Sequence, residues 1–564
     1  MKKTPPRPPV RGTETDARPP SRPTEPAPGL SRRGFLGATG GMTAFGLVAG
    51  VGCGEDGPPA GVDPSLAQKR AQRALDRRID VARWEFSQPL PELKTNGDEE
   101  RHPGYAAMFT KGLPHDDMGH VDPSAYQALL HAVSTGVPDD FERIPLGGTR
   151  KLSNPQGAFM FELHGADSHA TYMPPPPAFH SAEMASELAE LYWMALTRDI
   201  PYTRWDTDPL IQEACDRLSQ LSDFKGPREG GRVTPRTLFR GGFGDLNGPY
   251  LSQFLLMDVP YGAQLLTQHN RVPVAGVGND FVTRPDHWLH IQRGNTMGAI
   301  TFDPTRRYLR SNRDLGEFFH VDVPFQSYLT ALLIMTNSLR VPSDSANPYL
   351  TSRTQDGNVS FGRNYIGSLL CSAPQKAQKA VIYHKWVMHR RIRPEAYAGR
   401  VHALRKGLAS YELHPDIIDN PVLEKIHERY GSYLLPMAFP EGSPIHPSYG
   451  SGHSVNAGVC VTLLKAFYDE DFVIPNPVQP NEDGTALVPY DGPPLTVGGE
   501  LDKLAFNCST GRNIAGMHFR SEAIESMKLG EEMAIRLLRE DMMTFNESFS
   551  GWSLRKFDGT RITL

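Results

Sequence analysis

The chain has 564 residues, of which 39% are hydrophobic and 22% charged, and its formal net charge is −5. It is long and apolar enough to bury a large core. A slight acidic surplus, with no run of Lys and Arg, excludes recognition of nucleic acid through a basic stripe and leaves small molecules or copies of the chain itself as partners.

Residues 1–30 are rich in Pro, Arg, Thr and Glu and hold too few apolar side chains to offset the entropy of ordering, so they read as disordered. Next comes Ser31-Arg32-Arg33-Gly34-Phe35-Leu36, followed by an uncharged, glycine-rich stretch to Gly54. That is the form of a twin-arginine export signal, and it predicts a periplasmic or extracellular protein. A membrane anchor is the alternative, disfavoured by the many glycines, and Cys53 is a candidate for lipid attachment. Residues 1–60 are thereby set apart from the body of the chain. The 50 Pro and 53 Gly predict that the helices beyond are joined by long ordered connections.

Apolar residues at helical spacing over 181–199, behind a Ser181 cap, predict a core helix, and 209–221 and 325–339 repeat the pattern. The stretch 341–362, rich in Pro, Ser, Asn and Gly, marks a soft boundary between a helical lobe over 61–340 and a second over 341–564. In the second lobe a helix is expected from Ser372 and Pro374 to about Arg391, ended by Pro394, and another over 521–545. Strand signals are sparse, the clearest being a terminal hairpin turning at Asp558-Gly559. The fold class is therefore mainly α, built of helix bundles with long loops. Cys215, Cys371, Cys460 and Cys508 lack metal-finger spacing and read as mostly buried thiols, with room for one disulfide outside the cytoplasm.

Chemistry concentrates in three stretches, Lys385 to Pro394, His446 to His453 and Gly511 to Glu522. A multiply charged oxyanion held away from water needs several cations and directed donors. Lys385, Arg393 and Arg512 supply the cations and Ser451 a hydroxyl. Gly452 allows a backbone N–H to come close at the start of a helix. His453 is placed to give or take a proton, and His518 to meet the anion from the opposite side. Glu522, four residues after His518, shares its helical face and fixes its tautomer. Taken singly, Lys385 reads as a solvated helix residue and Ser451-Gly452 as a turn, and the neighbouring Arg390 and Arg391 are expected on a wet face. Their coincidence in order argues for a site.

Together these residues fit K-x(7)-R-P, P-S-x-x-S-G-H and G-R-x(5)-H-x-x-x-[acid], and by that pattern the chain resembles the vanadium-dependent haloperoxidases and the related acid phosphatases. The resemblance is closest to the algal bromoperoxidase branch, because Asn154-Pro155-Gln156, Leu163 to His169, Arg313 to Gly316, His320 to Val323 and Gly499 to Leu504 also fit it. It implies two four-helix bundles and a dimer or larger assembly. It further implies vanadate bound through His518, with Lys385, Arg393, Arg512, Ser451 and the Gly452 amide on its other oxygens. Hydrogen peroxide would then bind with help from His453 and Lys385 and oxidise bromide or iodide to hypohalous acid, which reacts with small organic acceptors. His446, seven residues before His453, matches a histidine of the bromoperoxidases, whereas Glu522 stands where the family more often has Asp. Some relatives hold a calcium ion, for which the loop Asp356-Gly357-Asn358 is a candidate, a plain turn being the other reading. Two further functions fit the same residues. One is an acid phosphatase in which His518 attacks phosphorus and His453 protonates the leaving group. The other is an exported oxyanion-binding protein without turnover.

Overall fold

A computed structural model describes residues 64–242 and 244–564. The expected disordered segment, the twin-arginine signal and Cys53 lie outside the described residues. Pro64–Ser87 is a helix, and Ala71–Leu564 form one compact unit. Among the described residues the fold is mainly helical, and its strands pair only as antiparallel two-stranded hairpins. The last of them, Ser553–Arg555 with Arg561–Thr563, turns at Asp558-Gly559 as expected, Gly559 taking a φ of 84°. No described helix is long and apolar enough to cross a membrane.

Two groups of helices build the core. In one, Gly452–Phe467 packs against Arg363–Tyr383, Val497–Ile514 and Arg520–Met542. In the other, Ala182–Thr197 packs against Pro209–Ser219, Pro415–Ile418, Val422–Tyr430 and Val497–Ile514. The 182–197 helix starts where expected, the Ser181 side chain accepting from the Met184 N–H at 3.1 Å, and nearly all of it is buried. Because 415–430 pack on 182–197, the stretches on either side of residue 340 share one core.

Local chemistry moved some boundaries. The helix expected from Ser372 begins nine residues earlier, at Arg363, and Pro374 lies inside it. Pro374 has no N–H for the Leu370 carbonyl, and the Cys460 thiol faces that oxygen at 3.9 Å. Beyond Tyr383 the backbone widens into a π-helical turn, His384–His389, and Arg390 leaves it with a φ of 39°. Pro394 therefore does not end this helix; it occupies the first turn of the next, Pro394–Arg405, where its missing N–H is harmless. A similar π turn, Ile334–Leu339, completes the helix predicted over 325–339. Cys215, Cys371, Cys460 and Cys508 are free thiols, all but Cys371 buried.

The helices of the first group touch backbone to backbone where glycines meet. A Cβ on Gly458 would lie 2.2 Å from the Met527 carbonyl oxygen, and one on Gly530 2.3 Å from that of Val455. Gly458→Ala is accordingly expected to force the 452–467 and 520–542 helices apart and cost about 1–3 kcal/mol, read as a lower urea midpoint. An unchanged midpoint would show that the close approach is not needed.

Candidate functional site

The three stretches separated in sequence meet in the interior. Lys385, on the π turn and 1% exposed, donates from Nζ to the carbonyls of Pro447 at 2.8 Å and Ser448 at 2.9 Å, and also to that of Gly450. Arg393, the residue before the 394–405 helix, donates from Nε to the His446 carbonyl at 2.9 Å and from Nη1 to the Met517 carbonyl at 2.7 Å. The same guanidinium reaches His446 Nδ1 at 2.7 Å and His518 Nε2 at 3.3 Å. His518 Nε2 must accept, because arginine only donates, whereas His446 Nδ1 lies between the Arg393 guanidinium and the Pro447 carbonyl, 3.1 Å away.

His518 stands just before the Arg520–Met542 helix, and Glu522 lies in its first turn. Nδ1 of His518 is 2.6 Å from Glu522 Oε2, so it carries the proton and donates, leaving the Nε2 lone pair turned toward Arg393. Glu522 is itself fixed: Ser448 Oγ donates to Oε2 at 2.8 Å and Arg391 Nη1 to Oε1 at 3.1 Å. The longer glutamate thus makes the contact expected of an aspartate.

The third component is a helix start. Ser451 caps Gly452–Phe467, its Oγ accepting the Ser454 N–H at 3.2 Å and the Ser454 hydroxyl at 2.8 Å. The Ser451 N–H donates to Ser526 Oγ at 2.7 Å. A Cβ added to Gly452 would meet nothing within 4 Å, so open space adjoins the N-terminus of this helix. His453, one residue into the turn, has Nε2 at 2.9 Å from Asp322 Oδ1, which leaves Nδ1 for other chemistry. Arg512, in the last turn of Val497–Ile514, donates from Nη1 to the Phe319 carbonyl at 2.7 Å, while its Nε is buried with no hydrogen-bond partner.

Charge in this space is strongly one-sided. Burial, then the neighbouring Arg393, holds Lys385 well below the usual lysine range, and burial pushes Arg393 itself down to about 10. Arg512 is lowered by burial. His518 and His446 are held well below the ordinary histidine value by burial and then by Arg393 and Lys385, so both rings are neutral. His453 is lowered by burial and by Arg512, with Asp322 pulling the other way. The carboxylates touching the site are already engaged, Glu522 by His518, Ser448 and Arg391, and Asp322 by His453. Three buried cations therefore surround neutral histidines without matching anions, which is the arrangement an oxyanion would complete.

Comparison with known proteins gives this arrangement a lineage. The chain is 34% identical to a vanadium-dependent bromoperoxidase of Corallina officinalis over 603 aligned positions, covering 89% of this chain and 100% of that protein. This chain belongs to the vanadium-dependent bromoperoxidase family. A bromoperoxidase of the same description from Ascophyllum nodosum is 33% identical, with 89% of this chain and 94% of that protein covered. The solved homohexameric structure of the second vanadate-dependent bromoperoxidase from Ascophyllum nodosum superposes with a TM-score of 0.84 at 31% identity, covering 93% of this chain and 94% of that one. A family model described as the VCPO second helical-bundle domain matches residues 414–547.

For a bromoperoxidase-family chain the motif residues were legible, but their supports were not. Arg391, expected on a wet face, is 3% exposed, pairs with Glu187 at 2.9 Å and lies over the Phe519 ring. Arg390 is half-buried and bidentate to Glu99. In sequence a run of charge looks like a solvated face because the acidic partners of Arg390 and Arg391 lie more than a hundred residues away. Asp322, Glu187 and Ser526 also support the site, from outside its three stretches. Among these, the one available signal is the pair of acids, Glu187 and Glu190, within the mostly apolar run 184–197, where an acid needs a buried cation; Glu190 pairs with Arg520. The loop Asp356-Gly357-Asn358 is exposed, Asp356 Oδ1 accepting the Asn358 N–H at 3.1 Å.

Proposed function

We propose that this chain is a vanadium-dependent haloperoxidase that uses hydrogen peroxide to oxidise bromide or iodide to hypohalous acid. The observation that carries the reading is the cluster of Lys385, Arg393 and Arg512 about the unprotonated Nε2 of His518. The donor set fits vanadate. Lys385, Arg393, Arg512, the Ser451 hydroxyl and the Gly452 N–H would hold its oxygens, and His518 Nε2 its central atom. The open space beside Gly452 and the unpartnered Arg512 Nε favour the fit. When bound, vanadium(V) acts as a Lewis acid that makes peroxide oxygen electrophilic.

The chain's own residues do the rest. His453, neutral and held through Nε2 by Asp322, takes a proton from incoming peroxide at Nδ1 and returns it to a departing oxygen. Lys385 lends positive charge to the oxygen under attack. His446, held by Arg393, faces the same space and is the residue through which halide preference is read. The overall balance is peroxide, halide and a proton to hypohalous acid and water. Calcium has no part in this proposal. A homo-oligomer does: the apolar Phe161 and Leu163, on either side of Glu162, are 78% and 95% exposed, and the Ascophyllum nodosum structure is a homohexamer. Export by the twin-arginine route also belongs to it, rests on Ser31 to Leu36, and is checked by fractionating cells that express the full chain.

Reconstitution is the direct test. Protein incubated with vanadate is expected to retain one vanadium per chain, to brominate a phenolic dye only with peroxide and bromide present, and to lose both on competition with phosphate. At vanadate concentrations 100-fold above Kd, binding adds about 2.7 kcal/mol of stability and raises Tm. Turnover of a phosphomonoester with none of bromide would overturn the reading in favour of the phosphatase.

A further inference from the structure

Asp98, His102 and His180 form a second cluster outside the oxyanion site, each offering a ligand atom within 4.8 Å of the others. Asp98 opens the one-turn helix Asp98–Arg101 and His102 follows four positions later, so carboxylate and imidazole share a face. His180 comes from the turn directly before the Ser181 cap. Asp98 and His102 are 5% and 6% exposed, while His180 is half-buried and forms the rim.

One ring nitrogen of each histidine lacks a hydrogen-bond partner. His102 Nε2 lies 3.6 Å from Asp98 Oδ1, too far for a hydrogen bond, and both it and His180 Nδ1 are buried without a hydrogen-bond partner. A buried ring nitrogen left unpaired is costly, so two beside one carboxylate call for a shared ligand. The two rings are 5.7 Å apart between centroids and inclined by 50°, so they do not stack. Asp98 is held by groups that a ligand carboxylate would need: the Phe179 N–H at 3.0 Å and Asn96 Nδ2 at 2.7 Å, both on Oδ2.

We propose that Asp98, His102 and His180 bind a divalent transition-metal ion, Zn²⁺ being the best match to two imidazoles and one carboxylate. Zn–ligand bonds of about 2.0–2.2 Å require the ligand atoms to draw together by on the order of 1 Å, which rotation of the rim side chain His180 provides. Hard cations such as Ca²⁺ and Mg²⁺ are disfavoured by the imidazoles. The ion ties the 98–102 segment to the start of the 182–197 helix, whose Glu187 holds Arg391. Its role is to brace that support, with no part in the oxidation chemistry.

Zinc titration of the full chain, stripped with a chelator, tests this by calorimetry and thermal unfolding. One Zn²⁺ per chain is expected in the micromolar range or tighter, with a rise in Tm. His180→Gln and His102→Ala should each weaken that binding by roughly 100-fold and abolish the rise. Binding by His180→Gln equal to that of the natural chain, or no zinc binding at all, overturns the proposal. Should His102→Ala fail to fold, the rim variant His180→Gln decides alone.

Discussion

His518→Ala is expected to abolish vanadate retention and, with it, halide oxidation. His518 Nε2 is the neutral ring nitrogen that the surroundings leave unprotonated and free of any acceptor, and the cations around it supply charge but no lone pair. Removing the ring deletes the only proposed bond to the central atom, leaving ion pairing by Lys385, Arg393 and Arg512. Because changes to residues that merely orient a ligand already cost about 10–100-fold in metal affinity, loss of the ligand itself should cost on the order of 1000-fold or more. The check is vanadium content per chain after gel filtration, with circular dichroism to establish folding. Arg393 keeps its bonds to the His446 and Met517 carbonyls in the variant, so the surrounding backbone remains anchored. Stoichiometric vanadium in folded His518→Ala would remove His518 from the site.

What the sequence made legible about this site was its short-range grammar. Ser451 caps a helix whose next residue is glycine, and His518, two residues before the Arg520–Met542 helix, meets Glu522 in the first turn of that helix. Such relations are decided by neighbours in the chain and survive any tertiary context. Arg391, Glu187 and Asp322 behave otherwise. Arg391 reaches Glu187 and Glu522 across more than a hundred residues, and nothing within its own stretch distinguishes it from a solvated arginine. The same limit applies to the fold. The 182–197 helix was visible because apolar period and cap agree, whereas the Arg363 start was hidden by Pro374, a residue tolerated mid-helix only where the carbonyl it strands meets something else, here the Cys460 thiol from a distant helix. The π turn carrying Lys385 had no signal in composition or period, yet it aims Nζ at the 447–450 carbonyls.

His453→Ala should separate chemistry from binding. Its ring is proposed to move the proton rather than to hold the oxyanion, so turnover is expected to fall by about 10²–10⁴-fold while vanadium content stays near that of the natural chain. Loss of vanadium from His453→Ala as complete as from His518→Ala would sink the division of labour. The pH profile gives an independent reading. A protonated His453 cannot accept a proton, so activity disappears as pH falls through its pKa, which burial and Arg512 hold below the ordinary histidine value. Asp322 opposes that shift, because its carboxylate favours the charged ring. Asp322→Asn therefore lowers the pKa further and moves the acid limb to lower pH, while the maximal rate drops because the ring is less firmly oriented. A purely structural aspartate would lower the rate and leave the limb in place, so the direction of that movement decides whether Asp322 acts through His453.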